Sequence, residues 1–334
     1  MEKNSAEIPV GFLKVTEPLA DIAEKNGYAV ERLASKTVIT APLGQVSFSG
    51  DENSTKLSFL SQTKAELQLF KELYAGRLKK LGLDSNIKWD KSAGSIPFNQ
   101  IRCQVTYCDR ISKNFARLRL QGDFSVFRTD AAGLHFRFLL GPDGVGWPYL
   151  DDNGLTLWPL GISKWHRPVF TVRKIAVDAD WIEVDVALHT SGRITNWLQE
   201  LKVGDEIAIN GPSGSKMPKA DNMFLFGDET AMPAIMRIIE NNPPGTRVSA
   251  TLALRDEKDL QATPDGKKLK IKTVKMEDES ALLNELYENC HKFSGCFLFF
   301  AAERSQALRA REFIKASPVS VKSSKISSYW TKTN

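Results

Sequence analysis

The chain has 334 residues, 42% of them apolar and 25% charged, with a net charge of +5. That length leaves room for two or three domains with cores of their own, and the balance excludes a disordered chain, a collagen-like repeat and a membrane bundle. The longest strongly apolar run, Cys296 to Ala302, is seven residues, against the ~20 that a bilayer-spanning helix needs.

Met1-Glu2-Lys3-Asn4-Ser5-Ala6-Glu7 leads into no apolar stretch of signal-peptide type, so a cytoplasmic protein without stable membrane insertion is expected. The four cysteines (Cys103, Cys108, Cys290, Cys296) fall in no CxxC spacing, and the four histidines in no HExxH spacing. They read as reduced, partly buried thiols, and no protein-bound metal is expected. No aromatic or groove-reading feature accompanies the basic residues, so no nucleic-acid partner is expected. A monomer is expected.

Residues 8–94 read as a small α+β unit. Leu19 to Asn26 has helical spacing, Lys36–Ala41, Gly44–Ser49 and Lys56–Ser61 read as strands, and Gln62 to Leu81 is an amphipathic helix. Asp84 to Ser95 reads as a linker that turns at Gly94. Residues 97–219 change texture: six short β-type segments (Cys103–Tyr107, Ala116–Gln121, Leu134–Leu140, Val169–Val177, Trp181–Leu188, Glu206–Asn210) predict a closed antiparallel barrel. The Gly/Pro/Trp-rich excursion Gly141 to Trp165 is too long for an idle connection and reads as functional or as a lid. From residue 220 to 334, strands at Met223–Phe226, Val248–Leu254 and Gly295–Ala301 alternate with helices at Ala231–Asn241, Ala281–Asn289 and Ser305–Lys315, which predicts a parallel sheet. From Arg304 onward seven Lys or Arg face one Glu, which reads as a basic C-terminal tail.

Four segments stand out. Arg167-Pro168-Val169-Phe170-Thr171-Val172-Arg173 places guanidinium groups, a ring and a hydroxyl on one strand, suited to a pyrophosphate and an aromatic cofactor. His189, Gly192, Thr195, Asn196 and Trp197 open a short helix whose N-terminus suits an anion. Val203-Gly204-Asp205 leads into Asn210-Gly211-Pro212, a strand and tight turn that close the barrel. Leu225-Phe226-Gly227-Asp228-Glu229-Thr230-Ala231-Met232-Pro233-Ala234 is a buried strand, a Gly turn and a helix start, able to meet a dinucleotide phosphate although GxGxxG is absent.

In this order and spacing, Cys103 to Trp330 resembles the siderophore-interacting proteins, FAD-dependent ferric-siderophore reductases of the ferredoxin-reductase-like superfamily. Arg167–Arg173 is similar to the family's R-x-Y-T-x-R, Gly227–Ala234 to G-D-E-T-A-L-P-A, Phe300-Ala301-Ala302-Glu303 to its A-G-E strand end, and Ile326–Trp330 to its terminal G-Y-W. Phe170 stands in place of the usual Tyr, Ala302 and Ser328 in place of Gly. Residues 8–94 resemble a small domain of unknown function often fused ahead of these reductases.

The resemblance implies a multidomain α+β protein: the small N-terminal domain, an antiparallel FAD-binding β-barrel and a C-terminal α/β parallel-sheet NAD(P)H-binding domain. It implies hydride transfer from NADPH or NADH to FAD, then single electrons to Fe³⁺ in a siderophore, in the service of iron uptake. No acid–base triad is then needed. Arg167, Phe170, Thr171, Val172 and Arg173 would hold the flavin half, with His189, Gly192, Thr195 and Trp197 along its pyrophosphate and adenine. Gly227, Asp228, Glu229, Thr230 and Glu303 would meet the nicotinamide half, Trp330 would cover the flavin, and Arg255 would favour NADPH through its 2′-phosphate. Lys164, Lys322 and Lys325 would touch an anionic ferric siderophore. Two other readings stay open: a flavoprotein reductase of another small acceptor (free flavin, a quinone or an electron carrier), and a non-catalytic module that binds a siderophore or a partner.

Overall fold

The computed structural model describes residues 1–33, 35–90, 96–128, 133–190, 192–263 and 268–332. The chain forms two compact units, Met1–Ile101 with Leu139–His166, and Arg102–Phe138 with Arg167–Asn334. The expected turn at Gly94 lies outside the described residues.

In the first unit an antiparallel sheet runs in the order Ala29–Leu33, Lys36–Ala41, Gly44–Gly50, Thr55–Ser61, Glu2–Ile8, Lys88–Trp89. Helices Phe12–Lys25 and Lys64–Lys80 cover it through Val15, Leu19, Phe70, Tyr74 and Leu78, packed on Ile8, Ile39, Phe48 and Phe59. Two strands, Glu2–Ile8 and Ala29–Leu33, and the two-residue strand Lys88–Trp89 within the expected linker, were not expected from the sequence. The first has its buried positions at Ala6 and Ile8 alone, and the second is exposed along most of its length, so neither shows an apolar run. The first helix starts seven residues earlier than its apolar spacing suggests and carries Pro18 inside it. Thr63 and Glu66 form a reciprocal cap at the start of the second helix.

The excursion folds with this unit. Gln68 donates to the Thr156 hydroxyl (2.9 Å) and Lys71 to the Asn153 carbonyl (3.1 Å), while Glu72 accepts from the Thr156 hydroxyl. Gln68 and Lys71 are therefore buried polar residues on a helix face that the sequence would leave to solvent. Burial pulls Lys71 down to about 8, and its ammonium lies 5.2 Å from the Trp89 ring centre. Within the segment Trp147 and Trp158 pack on Trp165, and Gly141 has no room for a side chain because a Cβ there would lie 2.6 Å from the Trp165 ring. The segment forms a strap with its own aromatic core, tied to the second helix.

The second unit opens with a seven-stranded antiparallel sheet: Val169–Thr171, Gly133–Phe138, Glu206–Lys216, Gln100–Arg110, Phe115–Gln121, Trp181–Ala187, Lys174–Ile175. The expected strand Val169–Val177 is broken. Val172 N–H bonds the Leu134 carbonyl and Arg173 N–H bonds the Glu183 carbonyl, so the chain changes partner there and closes the barrel. The strand Glu206–Lys216 runs through Asn210–Gly214 with two bulges, where a tight turn was expected.

The five-stranded parallel sheet has the order Lys268–Lys275, Arg247–Leu254, Asn222–Asp228, Phe297–Glu303, Ser323–Trp330. Its central strands are buried on both faces, which explains their unbroken apolar runs. The outer strands are Lys- and Ser-rich and were not expected. Of the basic C-terminal stretch, Arg304–Ala316 is the helix expected at Ser305–Lys315, while Ser323–Trp330, read only as a tail, is an edge strand of the sheet.

Candidate functional site

Beyond the closure at Arg173, Val169–Thr171 pairs only with Gly133–Phe138 and is an edge of the sheet. An edge strand offers backbone groups to a ligand. Side chains alternate across it. Phe170 lies opposite Phe136 on the inner face, edge-on to Phe138 at 5.1 Å, and Trp197 lies 5.2 Å from Phe138. Thr171 lies opposite His135 and Val169 opposite Arg137 on the other face.

On that second face His135 Nδ1 lies 3.2 Å from Thr171 Oγ1, and its Nε2 lies 3.2 Å from the Tyr329 hydroxyl. Burial, then the charges of Arg237 and Lys325, pull His135 down to about 4, so its ring is neutral at physiological pH. Arg137 Nη1 donates to the Arg167 carbonyl (3.0 Å). Burial, and then the Arg137 charge, hold the Arg167 guanidinium below its ordinary value. Two cations kept together at an open edge fit a diphosphate. Opposite Arg137 on the next strand, the buried Asn210 Oδ1 has no hydrogen-bond partner among the described residues, which a bound donor would complete. The His189 N–H bonds Thr195 Oγ1 (3.0 Å), which folds the turn before helix Arg193–Glu200, and Gly192 is that helix's N-cap.

The second feature is a cavity of about 310 Å³ lined by Asp228, Ala253, Asp278, Glu303, Ser305, Trp330 and neighbours. Asp228 and Glu303 end the two adjacent strands from which the sheet's connections run in opposite directions. Ligands of open α/β sheets bind outside the strand ends at such a switch point. Asp228 is nearly inaccessible: Oδ1 accepts from the Thr230 N–H (2.9 Å) and hydroxyl (2.6 Å), and Oδ2 accepts from Trp330 Nε1 (2.6 Å). Burial raises its pKa, and these bonds oppose the rise. Glu303 accepts from the Ser305 N–H at the start of the last helix. Gly227 serves packing, because a Cβ there would lie 2.7 Å from Ala231 and 2.8 Å from Ile235.

Several residues expected at the site are engaged elsewhere. Both terminal nitrogens of Arg173 bond Glu240 at 2.6 Å and its Nε bonds Gln261, so it joins barrel to helix Met232–Asn241 and is not available to a phosphate. Val172 is fully buried, with its carbonyl accepting from Arg237 (2.7 Å). Arg255 bonds the buried Glu229 carboxylate and the Leu188 carbonyl (2.6 Å), so neither residue reads as a dinucleotide contact. Lys164 belongs to the strap of the first unit. Lys322 precedes the strand that ends at Trp330. Seven extended residues separate it from Tyr329 by about 23 Å, too far for a shared contact. Lys325 is nearer: with His135, Lys216, Ser327 and Tyr329 it lines a cavity of about 340 Å³.

His135, Arg137, Tyr329 and Lys216 were not singled out from the sequence. The alternation Leu134-His135-Phe136-Arg137-Phe138 marks two polar positions on one face of an otherwise apolar strand, and that signal was readable.

Comparison with known proteins agrees with this layout. The family described as "Siderophore-interacting FAD-binding domain" matches residues 104–216, and "Siderophore-interacting protein" matches residues 220–333. A ferric vibriobactin reductase, ViuB, of Vibrio cholerae is 27% identical over 158 residues, 45% of this chain and 56% of that one. An NADPH-dependent ferric-chelate reductase of Escherichia coli is 27% identical over 175 residues, 48% of this chain and 66% of that one. The chain thus spans less than two thirds of the length of either relative. Among solved structures, a siderophore utilization protein from T. fusca superposes with a TM-score of 0.60 at 22% identity, covering 73% of this chain and 97% of that one. The siderophore-interacting protein SipS from Aeromonas hydrophila gives 0.58 at 22%, covering 71% and 93%. Across its barrel and its parallel-sheet layer, the chain belongs to the siderophore-interacting protein family.

Proposed function

We propose that the protein is an FAD-dependent NAD(P)H oxidoreductase that reduces ferric siderophores. One observation carries the reading: a barrel with an open edge beside two cations is followed, in the same unit, by a parallel sheet with a cavity at its switch point. A flavin and a dinucleotide need that pairing, and both halves match the siderophore-interacting family. The relatives' printed activities, on ferric vibriobactin and on a ferric chelate with NADPH, support the acceptor and the donor.

FAD, when bound, supplies the exchange between a two-electron donor and a one-electron acceptor. The chain's own residues supply place and charge. Arg137 and Arg167 would hold the diphosphate, and the backbone edge of Val169–Thr171 would hold the polar rim of the ring system. Phe170 keeps a ring at the position where a Tyr is usual, without its hydroxyl. Asp228 fixes the turn Asp228–Ala231 and the Trp330 indole, shaping the cavity where the dinucleotide would enter. Lys216 and Lys325, beside the half-buried His135–Tyr329 pair, would draw an anionic chelate to the 340 Å³ cavity. An electron crosses several ångströms, so attraction matters there more than an enclosing fit.

The test is direct. The purified protein is examined for flavin absorbance, reduced anaerobically with NADPH or NADH, and mixed with ferric hydroxamate, catecholate and citrate complexes and a ferrous indicator. Flavin bleaching by the nicotinamide, followed by recovery and Fe²⁺ formation on adding the chelate, is expected. Flavin that reoxidises with free flavin or a quinone but with none of the chelates would move the protein to the broader reductase class, and absence of flavin binding would defeat the reading.

A further inference from the structure

Thr171, His135 and Tyr329 form one row of hydrogen bonds, 3.2 Å at each link. The row crosses from the open-edge strand of the barrel, through the neighbouring strand, to the last strand of the parallel sheet. The His135 and Tyr329 rings meet edge-on, with centres 5.6 Å apart and planes at 89°. Thr171 is 5% exposed, so few directions are open to its hydroxyl. The groups around the imidazole are Arg237 from helix Met232–Asn241, Lys325 and Tyr329 from the terminal strand, and Thr171. No carboxylate touches it among the described residues, and both neighbouring charges are positive.

A neutral imidazole has one N–H and one bare nitrogen. The row therefore runs in one of two directions. Either Tyr329 donates to Nε2 and Nδ1–H donates to Thr171, leaving the Thr171 hydrogen free to point at a ligand, or Thr171 donates to Nδ1 and offers a ligand only its oxygen. The two directions differ by a tautomer of His135, with no change in net charge.

We propose that His135 is a positioning residue that sets which way the Thr171 hydroxyl faces a bound flavin and couples that choice to Tyr329 on the terminal strand. The inference rests on the flavin reading above. A flavin's N5 accepts a hydrogen bond when oxidised and carries N–H when reduced, so a hydroxyl able to reverse serves both states without admitting a charge. Tyr329 is followed by Trp330, which is bonded to Asp228 at the dinucleotide cavity. The row thus joins the strand at the flavin edge to the strand bounding the second cavity.

The test uses the full-length protein and two kinds of readout. In the protein before FAD is added, nitrogen NMR of labelled histidine is expected to show His135 neutral at pH 6, and Tyr329→Phe is expected to alter its tautomer balance. A His135 ring charged at pH 6 would overturn the inference whatever the protein binds. In the FAD-loaded protein, FAD content and the flavin midpoint potential are compared for wild type, His135→Leu, His135→Asn and Tyr329→Phe. His135→Leu is expected to keep FAD and move the oxidised-to-reduced equilibrium about tenfold, which is ~30 mV for a two-electron couple. His135→Asn, whose amide can still reach Thr171, is expected to restore most of it. Potentials unchanged in both His135→Leu and Tyr329→Phe, at full FAD content, would overturn the inference while leaving the flavin reading intact. Wild type without FAD binding would defeat both. Should His135→Leu fail to fold, Tyr329→Phe, which removes a single oxygen, decides the point by the same measurements.

Discussion

Arg255 shows how a residue's partner decides its role. Its place after the second strand of the parallel sheet suggests a cation for a 2′-phosphate, but its guanidinium holds the buried Glu229 carboxylate. Glu229 is inaccessible, and burial raises its pKa against the opposing pull of Arg255. Arg255→Ala would leave that carboxylate without its cation, a loss of about 1–3 kcal/mol, read as a lower denaturant midpoint. The ratio of NADPH to NADH efficiency is expected to stay at its wild-type value; a shift toward NADH in the variant would return Arg255 to the cofactor. His135 carries a pH dependence of determinate sign. Its folded pKa, about 4, lies below the ~6.5 of an unfolded histidine. Its neutral form therefore stabilises the fold in full above pH ~6.5, and the contribution falls as pH drops toward 4, by up to ~1.4 kcal/mol per pH unit. Chemical denaturation of wild type and His135→Asn at pH 7.5, 6.5 and 5.5 should show the gap between them closing as pH falls; a constant gap would mean that the ring is not held neutral by its surroundings.

Among the elements, what was readable from the sequence followed how local its cause was. The helix Lys64–Lys80, the buried strands Asn222–Asp228 and Phe297–Glu303 and the run Arg167–Arg173 each carry their pattern within themselves. The outer strands Lys268–Lys275 and Ser323–Trp330 do not: each is a sheet edge with one neighbour, so a Lys- or Ser-rich pattern suffices. The row from Thr171 to Tyr329 joins residues 158 positions apart by number, and only the packing of sheet on barrel brings them together. The strap Leu139–His166 is the clearest case, since its length signalled a role but not its anchor. Its anchor is a helix face whose Gln68, Lys71 and Glu72 look solvent-bound in the sequence. Glu72→Ala removes the acceptor of the Thr156 hydroxyl, about 1 kcal/mol of local stability. Limited proteolysis is expected to cut this variant faster than wild type within residues 143–157 while the helix core around Phe70 and Tyr74 stays protected. Equal cutting rates would show that the tryptophan cluster holds the strap without the helix.

At the scale of the whole molecule, charge is sorted between the two cavities of the second unit. The one at the switch point is bordered by Asp228, Asp278, Glu279 and Glu303, with Lys332 bound to Glu279 at 2.7 Å. The one beside His135 and Tyr329 is bordered by Lys216 and Lys325 and by no carboxylate among its lining residues. An anionic ferric chelate would be drawn to the second, where no lining carboxylate opposes the two lysines. Both lysines are exposed, so their effect is long-range attraction, screened by salt over a Debye length of ~8–10 Å. The double variant Lys216→Ala/Lys325→Ala is therefore expected to raise KM for an anionic ferric siderophore about three- to tenfold at low salt. It should also flatten the salt dependence of that KM, and leave anaerobic reduction of the flavin by NAD(P)H at the wild-type rate. A neutral ferric hydroxamate serves as the control, with a KM insensitive both to salt and to the double variant. Equal sensitivity of neutral and anionic chelates would mean that the lysines shape the cavity and do not steer charge. Loss of the nicotinamide step would place them with the donor.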